Sequence, residues 1–282
     1  MTRCIDAHHH LWKYSAEEYG WIGDAMQSLR RDFLPSDLHT EMAAADVQAS
    51  IAVQARQTLE ETQWLLRLAD EHAFIAGVVG WAPIASAGFR EQLDALAGHP
   101  KLKGLRHVLQ DEPDDTYMLR DSFQQGLAAL KGTGLVYDIL IYERQLPFAT
   151  ELVDRNPDQV FVLDHLAKPK ICAAEISPWR ERLRELAQRP NVYCKLSGMV
   201  TEADWSQWTI DDLRPYVDVA LECFGATRLL AGSDWPVCTV AVSYGKWWQT
   251  LRELVSGLSL TEQASILGDN ATRVYGLEGN EA

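Results

Sequence analysis

Eight short apolar runs, rich in β-branched residues, recur along the 282-residue chain and constrain its fold more than any other feature. Most are apolar at successive positions rather than alternating, which is typical of strands covered on both faces, as in a parallel sheet. For any single run, a buried helical segment is the competing interpretation. The predicted strands are Arg3–Ala7, Ser50–Ala55, Phe74–Ala82, Leu102–Leu109, Leu135–Tyr142, Val160–Leu166, Asn191–Leu196 and Arg228–Gly232.

Amphipathic segments separate these runs and predict helices. They are Leu59–His72, Arg180–Gln188, Leu213–Phe224 and Trp248–Val255. Helix starts are predicted at Pro35, at Ser177 as N-cap with Pro178 following, and at a Ser259/Glu262 capping box for a last helix ending near Gly268.

Eight strands alternating with helices over this length predict a single-domain (β/α)8 TIM barrel that spans residues 1–282. The rival is an open doubly wound sheet. No Gly-rich phosphate loop follows the first run, so the commonest reason to prefer that rival is missing. The aromatic segment Lys13–Arg31 is expected to fold over the mouth of the barrel.

Charge and cysteine content exclude several classes of function. The chain has 26 Lys and Arg against 40 Asp and Glu, a net charge of −14, with no basic stripe for nucleic acid or anionic lipid. The five cysteines contain no C-x-x-C pair, and no signal-peptide pattern or membrane-length apolar run is present. We therefore expect a cytoplasmic protein with no nucleic-acid or membrane partner.

Histidines end the first predicted strand, at Asp6-Ala7-His8-His9-His10. Alternation along a strand places His8 and His10 on one face, where two imidazoles can hold a metal ion or donate to a carbonyl oxygen. A purification tag is a poor explanation, because the run has three histidines and lies inside a strand. Buried core histidines are the remaining alternative.

Two further candidates end later strands, where barrel enzymes carry their active-site groups. His165 closes the sixth predicted strand, although a buried polar residue is an equal interpretation of it alone. Asp234 follows the eighth strand, which neighbours the first once the barrel closes. Its alternative role as a helix N-cap is disfavoured because Pro236 pushes Trp235 away from helical geometry.

Charged residues on other strands are expected to support this site. Only one of the adjacent residues Arg106 and His107 on the fourth strand should point inward, and the pattern does not decide which. Asp138 could be a functional carboxylate or the buried partner of a strand-end cation, and the partner role is preferred. Lys195, at the end of the seventh strand, is interpreted as a member of an ion pair, because a buried lysine needs a carboxylate.

The chain resembles the amidohydrolase superfamily, in the sugar-lactonase branch that includes L-fuconolactonase and L-rhamnonolactonase. The motifs that carry the resemblance are His8-x-His10, Gly104-Leu105-Arg106-His107, Asp164-His165-Leu166-Ala167-Lys168-Pro169, Lys195-Leu196-Ser197-Gly198, Gly232-Ser233-Asp234-Trp235-Pro236 and the tail 266–275. The resemblance implies a (β/α)8 hydrolase of a lactone ring in which Asp234 activates water. No second histidine pair follows His165, so it implies at most one divalent metal ion, and some relatives work without any.

We expect His8, His10 and His165 to polarise the lactone carbonyl, directly or through one zinc or manganese ion that these histidines and Asp234 would hold. Asp234 and His165 are the expected catalytic residues. The expected substrate-binding residues are Arg106, His107, Lys168, Trp12, Trp21 and Trp235. Tryptophan faces suit a sugar, with core packing as the equal alternative.

Few cations end the strands, so a neutral aldonolactone is preferred over a dianionic one. The ring size, the sugar and the oligomeric state stay open. The competing functions are a metal-dependent decarboxylase of the same superfamily and a non-catalytic sugar-binding barrel.

Overall fold

Eight parallel strands form one sheet in chain order in the structure, a computed structural model that describes residues 3–277. The strands are β1 (Ile5–His9), β2 (Ala49–Val53), β3 (Ile75–Gly80), β4 (Leu102–Val108), β5 (Val136–Leu140), β6 (Phe161–Leu163), β7 (Val192–Leu196) and β8 (Leu229–Ala231). All eight predicted strands are confirmed, most with shorter ends. The first lies two residues later than predicted, so His8 and His9 belong to the strand itself.

Helices follow the strands and cover the sheet. They are α1 (Pro35–Ala44), α2 (Leu59–Glu71), α3 (Phe89–Leu96), α4 (Asp121–Ala129), α5 (Leu146–Arg155), α6 (Trp179–Ala187), α7 (Ile210–Phe224), α8 (Tyr244–Leu254), α9 (Leu260–Ala264) and α10 (Asn270–Val274). The four predicted amphipathic helices are α2, α6, α7 and α8. Within residues 3–277, no helix has both the length and the apolar character that a bilayer crossing requires.

Two helix boundaries differ from prediction. α6 begins at Trp179 and has Pro178 rather than Ser177 at its N-cap, because Pro178 is not in a helical conformation. The last helix does not end near Gly268 but continues through a π-helical turn into α10. A Cβ at Gly268 would lie 1.8 Å from the carbonyl oxygen of Arg3, so this glycine permits close packing against β1 rather than ending the helix.

The barrel closes where β8 meets β1. Asp234 N–H donates to the carbonyl oxygen of His8 at 2.8 Å, and His10 N–H donates to that of Trp235 at 2.6 Å. His9 and Trp235 form a parallel bridge between the two elements. This closure confirms the (β/α)8 TIM barrel and excludes the open doubly wound sheet.

Asp6 reinforces the same seam with its side chain. Its carboxylate accepts hydrogen bonds from the backbone N–H and the hydroxyl of Ser233, at 2.8 and 2.6 Å, and from the N–H of His8 at 3.1 Å. Gly232 allows the close approach, because a Cβ there would lie 2.9 Å from the Cβ of His8. The residues that end β8 are therefore held directly beside β1.

Two apolar clusters fill the molecule. The larger lies between the sheet and the surrounding helices, and the smaller joins strand residues to Ala271, Tyr275 and Leu277 at the C-terminal end. Tyr275 and Leu277 pack near the beginnings of the strands, so α10 and the residues directly after it close this end of the barrel. The strand ends that carry the histidines form the opposite, open end.

Candidate active site

Three imidazoles and one carboxylate meet at the carboxyl ends of β1, β6 and β8. Nε2 of His10 lies 3.3 Å from Oδ1 of Asp234, and Nε2 of His8 and of His165 each lie 3.8 Å from the same atom. All four side chains are buried. The structure thus brings together the four residues that the sequence nominated for one centre.

Backbone in the left-handed region presents two of these side chains. His165, Leu166, Ala167 and Lys168 have φ values of 52°, 56°, 58° and 51°, and Asp234 has a φ of 58°. Each non-glycine residue in this region costs roughly 1–2 kcal/mol. Such strain accumulates where side chains must be aimed for a function.

Gly198 makes room for His165 from the end of β7. A Cβ at Gly198 would lie 2.5 Å from Nδ1 of His165, and the glycine itself has a φ of 63°. A side chain at this position would both strain the backbone and displace the imidazole.

The Nδ1 atom of each imidazole faces a partner on the barrel wall. His10 Nδ1 lies 2.8 Å from the carbonyl oxygen of Val53, which can only accept, so His10 donates there. His165 Nδ1 lies 2.9 Å from the hydroxyl of Ser197, and His8 Nδ1 lies 3.3 Å from Oδ1 of Asp164. These contacts turn the Nε2 atoms of all three rings toward Asp234.

Burial sets the charges of the centre. Burial holds the pKa of His8 well below its usual value and lowers the pKa of His165 to about 4, so both rings are neutral near pH 7. Burial raises the pKa of Asp234, but its contacts with the His165 and His10 imidazoles and the nearby Lys168 ammonium outweigh that effect. The pKa of Asp234 is therefore lowered, and the group is a carboxylate.

This donor set fits one divalent cation. Nε2 of His8 and Nε2 of His10 are only 3.2 Å apart, and nitrogens this close must share either a proton or a cation. Ligand atoms of His8, His10 and Asp234 all lie within 4.8 Å of one another. Imidazole nitrogens with a carboxylate oxygen are ligands that zinc and manganese accept.

A second possible group, formed by His8, Asp164 and His165, is a poorer cation site. Oδ2 of Asp164 accepts from Arg106 at 2.9 Å, and its Oδ1 lies 3.0 Å from the ammonium of Lys195. Two cationic side chains thus already occupy this carboxylate. The geometry favours one ion rather than two.

Arg106, not His107, faces the barrel interior. Arg106 donates to Asp164 and, through Nε at 2.9 Å, to Oε1 of Gln54. His107 faces away from the centre, with Nε2 2.7 Å from Glu112 and its ring stacked on Tyr117 at a centroid distance of 5.2 Å. The structure therefore does not bring His107 together with the three imidazoles.

Lys168 extends from the left-handed turn to the rim of the barrel mouth. Its ammonium lies 3.8 Å from Oε1 of Glu202 and 5.5 Å from the ring centre of Tyr142. Both members of the ion pair are partly exposed.

The three nominated tryptophans differ in exposure. Trp12 is buried, donates from Nε1 to the carbonyl oxygen of Arg31 at 2.9 Å, and has its ring centre 6.5 Å from that of His10. Trp235 is buried edge-on against Phe33. Trp21 is 44% exposed and packs edge-on against Trp12. Trp12 and Trp235 therefore have almost no exposed surface, whereas Trp21 presents an exposed aromatic face.

The segment 13–31 places Trp21 against Trp12, whose ring centre lies 6.5 Å from that of His10. An ion pair between Glu18 and Arg56 ties this segment to the loop after β2. Tyr19 is buried against Trp12. The segment 13–31 is therefore attached to the barrel by both an ion pair and aromatic packing.

The site contains supporting residues to which the sequence alone gave no role. Asp164 contacts His8, and Gln54 accepts a hydrogen bond from Arg106. Ser197 contacts His165, and Asp6 accepts a hydrogen bond from Ser233. Asp164 could have been nominated, because a carboxylate directly precedes His165 at a strand end. Lys195 and Asp138, each expected to have a buried partner of opposite charge, form an ion pair with one another.

The closed barrel and the histidines and aspartate at its strand ends are those of an amidohydrolase, and the chain belongs to the amidohydrolase family, whose model matches residues 5–277. It is 44% identical to an L-fucono-1,5-lactonase of Burkholderia multivorans, covering 97% of this chain and 96% of that protein. It is 35% identical to an L-fucono-1,5-lactonase of Burkholderia ambifaria, covering 99% and 97%.

Solved structures agree with this assignment. A crystal structure of an amidohydrolase from Burkholderia multivorans with bound zinc has a TM-score of 0.95 and 42% identity, over 98% of this chain and all of that one. A 2,6-dihydroxybenzoate decarboxylase from Rhizobium has a TM-score of 0.69 at 12% identity, over 99% of this chain and all of that one. That second likeness shows the fold alone.

Proposed function

We propose that this protein hydrolyses a neutral sugar lactone, of which L-fuconolactone is the model compound, to the open-chain acid. The observation that carries the proposal is the convergence of three imidazole Nε2 atoms on one Asp234 oxygen at the open end of the barrel. The relatives named L-fucono-1,5-lactonase, similar over nearly the whole chain, support the substrate class.

In the proposed reaction, Asp234 acts as the general base. Its carboxylate takes a proton from water, and the hydroxide oxygen forms a bond to the lactone carbonyl carbon. The carbonyl oxygen gains negative charge beside the imidazoles of His8, His10 and His165. When the bond to the ring oxygen breaks, protonated Asp234 returns its proton to that oxygen, so that one water is consumed for each ring opened.

We further propose that His8, His10, His165 and Asp234 hold one zinc or manganese ion. When bound, the ion supplies Lewis acidity toward the carbonyl and lowers the pKa of water. The contacts of the three Nδ1 atoms with Val53, Ser197 and Asp164 support this role, because they aim the Nε2 atoms at one point. The similar amidohydrolase with bound zinc supports it independently.

For substrate binding, we propose Trp21 and Lys168 as direct contacts. Arg106 is committed to Asp164 and Gln54, and Lys168 already faces Glu202, so little positive charge is left for a dianionic ligand. This balance favours a neutral lactone. Trp12, Trp235 and His107 are proposed to shape the wall and rim behind these contacts.

We also propose a cytoplasmic location. All five cysteines are free, and Cys4, Cys194 and Cys238 are buried. Free thiols of this kind suit a reducing compartment.

A pH-indicator screen of aldonolactones, run with and without a chelator, tests the proposal. We expect acid release from a neutral aldonolactone, and loss of this activity in the chelated sample that zinc restores. Release of carbon dioxide from an aromatic acid, with no lactone opened, would instead identify a decarboxylase. Tight lactone binding without turnover would identify a sugar-binding barrel.

A further inference from the structure

A chain of buried polar contacts runs from the floor of the barrel to His8. The hydroxyl of Tyr275 donates to the carboxylate of Asp138, whose oxygens lie 2.9 and 3.0 Å away. Asp138 accepts from the ammonium of Lys195. That ammonium lies 3.0 Å from Oδ1 of Asp164 and 3.2 Å from Nδ1 of His8. The last residue of the chain of contacts belongs to the proposed metal site.

Lys195 is fully buried, and its ammonium therefore has to use its three N–H groups within this network. Two of its partners, Asp138 and Asp164, are carboxylates, which accept hydrogen bonds from an ammonium more strongly than a neutral ring nitrogen does. The position of Asp138 therefore decides whether an N–H group of Lys195 remains to donate to Nδ1 of His8.

Nδ1 of His8 lies between an acceptor and a donor. Oδ1 of Asp164, 3.3 Å away, can accept a proton from Nδ1, whereas Nζ of Lys195, 3.2 Å away, can donate one to it. A neutral imidazole carries one proton. If Nδ1 donates to Asp164, Nε2 has a free lone pair; if Nδ1 accepts from Lys195, Nε2 carries the proton and cannot bind a metal.

We propose that Asp138 and Tyr275 are positioning residues that direct the N–H groups of the Lys195 ammonium toward Asp138 and Asp164, so that His8 donates from Nδ1 to Asp164 and presents Nε2 to the metal ion. The inference rests on the metal site of the proposed function. It assigns a role to the residue that follows α10, because Tyr275 lies at the end of the barrel opposite the candidate site.

Tyr275→Phe tests this without changing any charge. We expect zinc affinity, measured by competition with a chromogenic chelator, to fall about 10-fold, the lower end of the range for residues that support a ligand. The matched control is Tyr137→Phe, a buried tyrosine beside Asp138 that packs on Phe123 and Phe161 instead. We expect its zinc affinity to stay within about twofold of that of the wild type.

A spectroscopic measurement separates positioning from general loosening. In metal-free protein labelled with ¹⁵N-histidine, we expect the fraction of His8 with its proton on Nδ1 to fall in Tyr275→Phe and Asp138→Asn, and to stay unchanged in Tyr137→Phe. If Asp138→Asn does not fold, Tyr275→Phe alone decides the question. An unchanged His8 proton distribution in Tyr275→Phe, or an unchanged zinc affinity, would overturn the proposal.

The two proposals fail in different ways. If the wild-type protein binds no zinc in the chelator competition, the metal site of the proposed function is wrong. If the wild type binds zinc and Tyr275→Phe binds it equally well, the metal site stands and only the positioning role is wrong.

Discussion

His10 donates its Nδ1 proton to the carbonyl oxygen of Val53, 2.8 Å away on the neighbouring strand. This contact fixes which nitrogen of His10 faces Asp234, because a carbonyl oxygen can only accept. The ligand character of His10 is therefore set by the backbone of β2. Because the acceptor is a backbone carbonyl, substitutions of side chains at the barrel mouth do not remove it.

Zinc should stabilise the wild-type protein through this ligand. A ligand that binds only the folded state at 100 times its dissociation constant adds about 2.7 kcal/mol to the free energy of unfolding. We expect the melting temperature of chelator-treated wild type to rise on adding zinc. In His10→Ala the rise should disappear, and an equal rise there would show that zinc acts elsewhere.

Asp234→Asn should remove the proposed general base. We expect kcat on an aldonolactone to fall about 10²- to 10⁴-fold, the usual contribution of a positioned base. The pH-indicator assay measures this at saturating zinc. Asp218→Asn, an exposed carboxylate on α7, is the control and should retain its rate. Full activity of Asp234→Asn would eliminate Asp234 as the base.

Gly198→Ala should damage the site through His165. Both Gly198 and Gly132 have a positive φ, 63° and 80°, so an alanine at either position costs about 1–2 kcal/mol of stability. Only at Gly198 would the new methyl group meet the imidazole, since nothing lies within 4 Å at Gly132. We expect both variants to melt earlier and only Gly198→Ala to lose kcat; equal activities would contradict this.

Glu61 should make the stability of the fold depend on pH. Its Oε2 accepts from the N–H groups of Ala55 and Arg56, yet burial raises the pKa of Glu61 to about 7 from 4.5. The folded state thus binds the proton more tightly than the unfolded chain. This stabilisation is complete below about pH 4.5 and is lost as the pH rises toward 7.

Urea unfolding of wild type and Glu61→Gln across this range tests the point. The wild type should lose up to about 3 kcal/mol relative to the variant between pH 4.5 and 7, and nothing more above that range. Glu60→Gln, an exposed neighbour in the same helical turn, should track the wild type. Parallel curves for wild type and Glu61→Gln would refute the assignment.

Replacing Trp21 should affect substrate binding, whereas replacing Trp12 should affect the stability of the fold. Replacing exposed Trp21 by alanine should raise KM about 2- to 10-fold, the worth of one aromatic contact, with little change in melting temperature. Trp12→Ala should cost about 3–5 kcal/mol of stability, because the ring is fully buried. An unaltered KM in Trp21→Ala would remove it from the proposed substrate surface.

The barrel and its principal site residues are readable from the sequence because both follow local rules. Apolar runs of strand length reveal β1 to β8, and in a barrel every strand ends at the same face, so His10, His165 and Asp234 had to be near one another. Local rules also explain the errors. Gly268 looked like a helix end, but its role is to approach Arg3, which is distant in the chain.

The contacts between the site residues and their supporting residues could not be predicted from local sequence rules. Whether Arg106 or His107 faces inward depends on the register of β4, which sequence alternation leaves open. The contact of Tyr275 with Asp138 joins residues 137 positions apart, and only the closed barrel brings them together. Partners across a barrel are set by shear and tilt rather than by any spacing along the chain.

The seam between β1 and β8 gives the molecule a further property. Asp6 and Ser233 join the first strand to the last, and the residues on either side of that joint are His8 and Asp234. During synthesis, the candidate centre can therefore assemble only after the polypeptide has been extended beyond Asp234. We expect chains that stop before β8 to be inactive, so that activity reports the pairing of the first strand with the last.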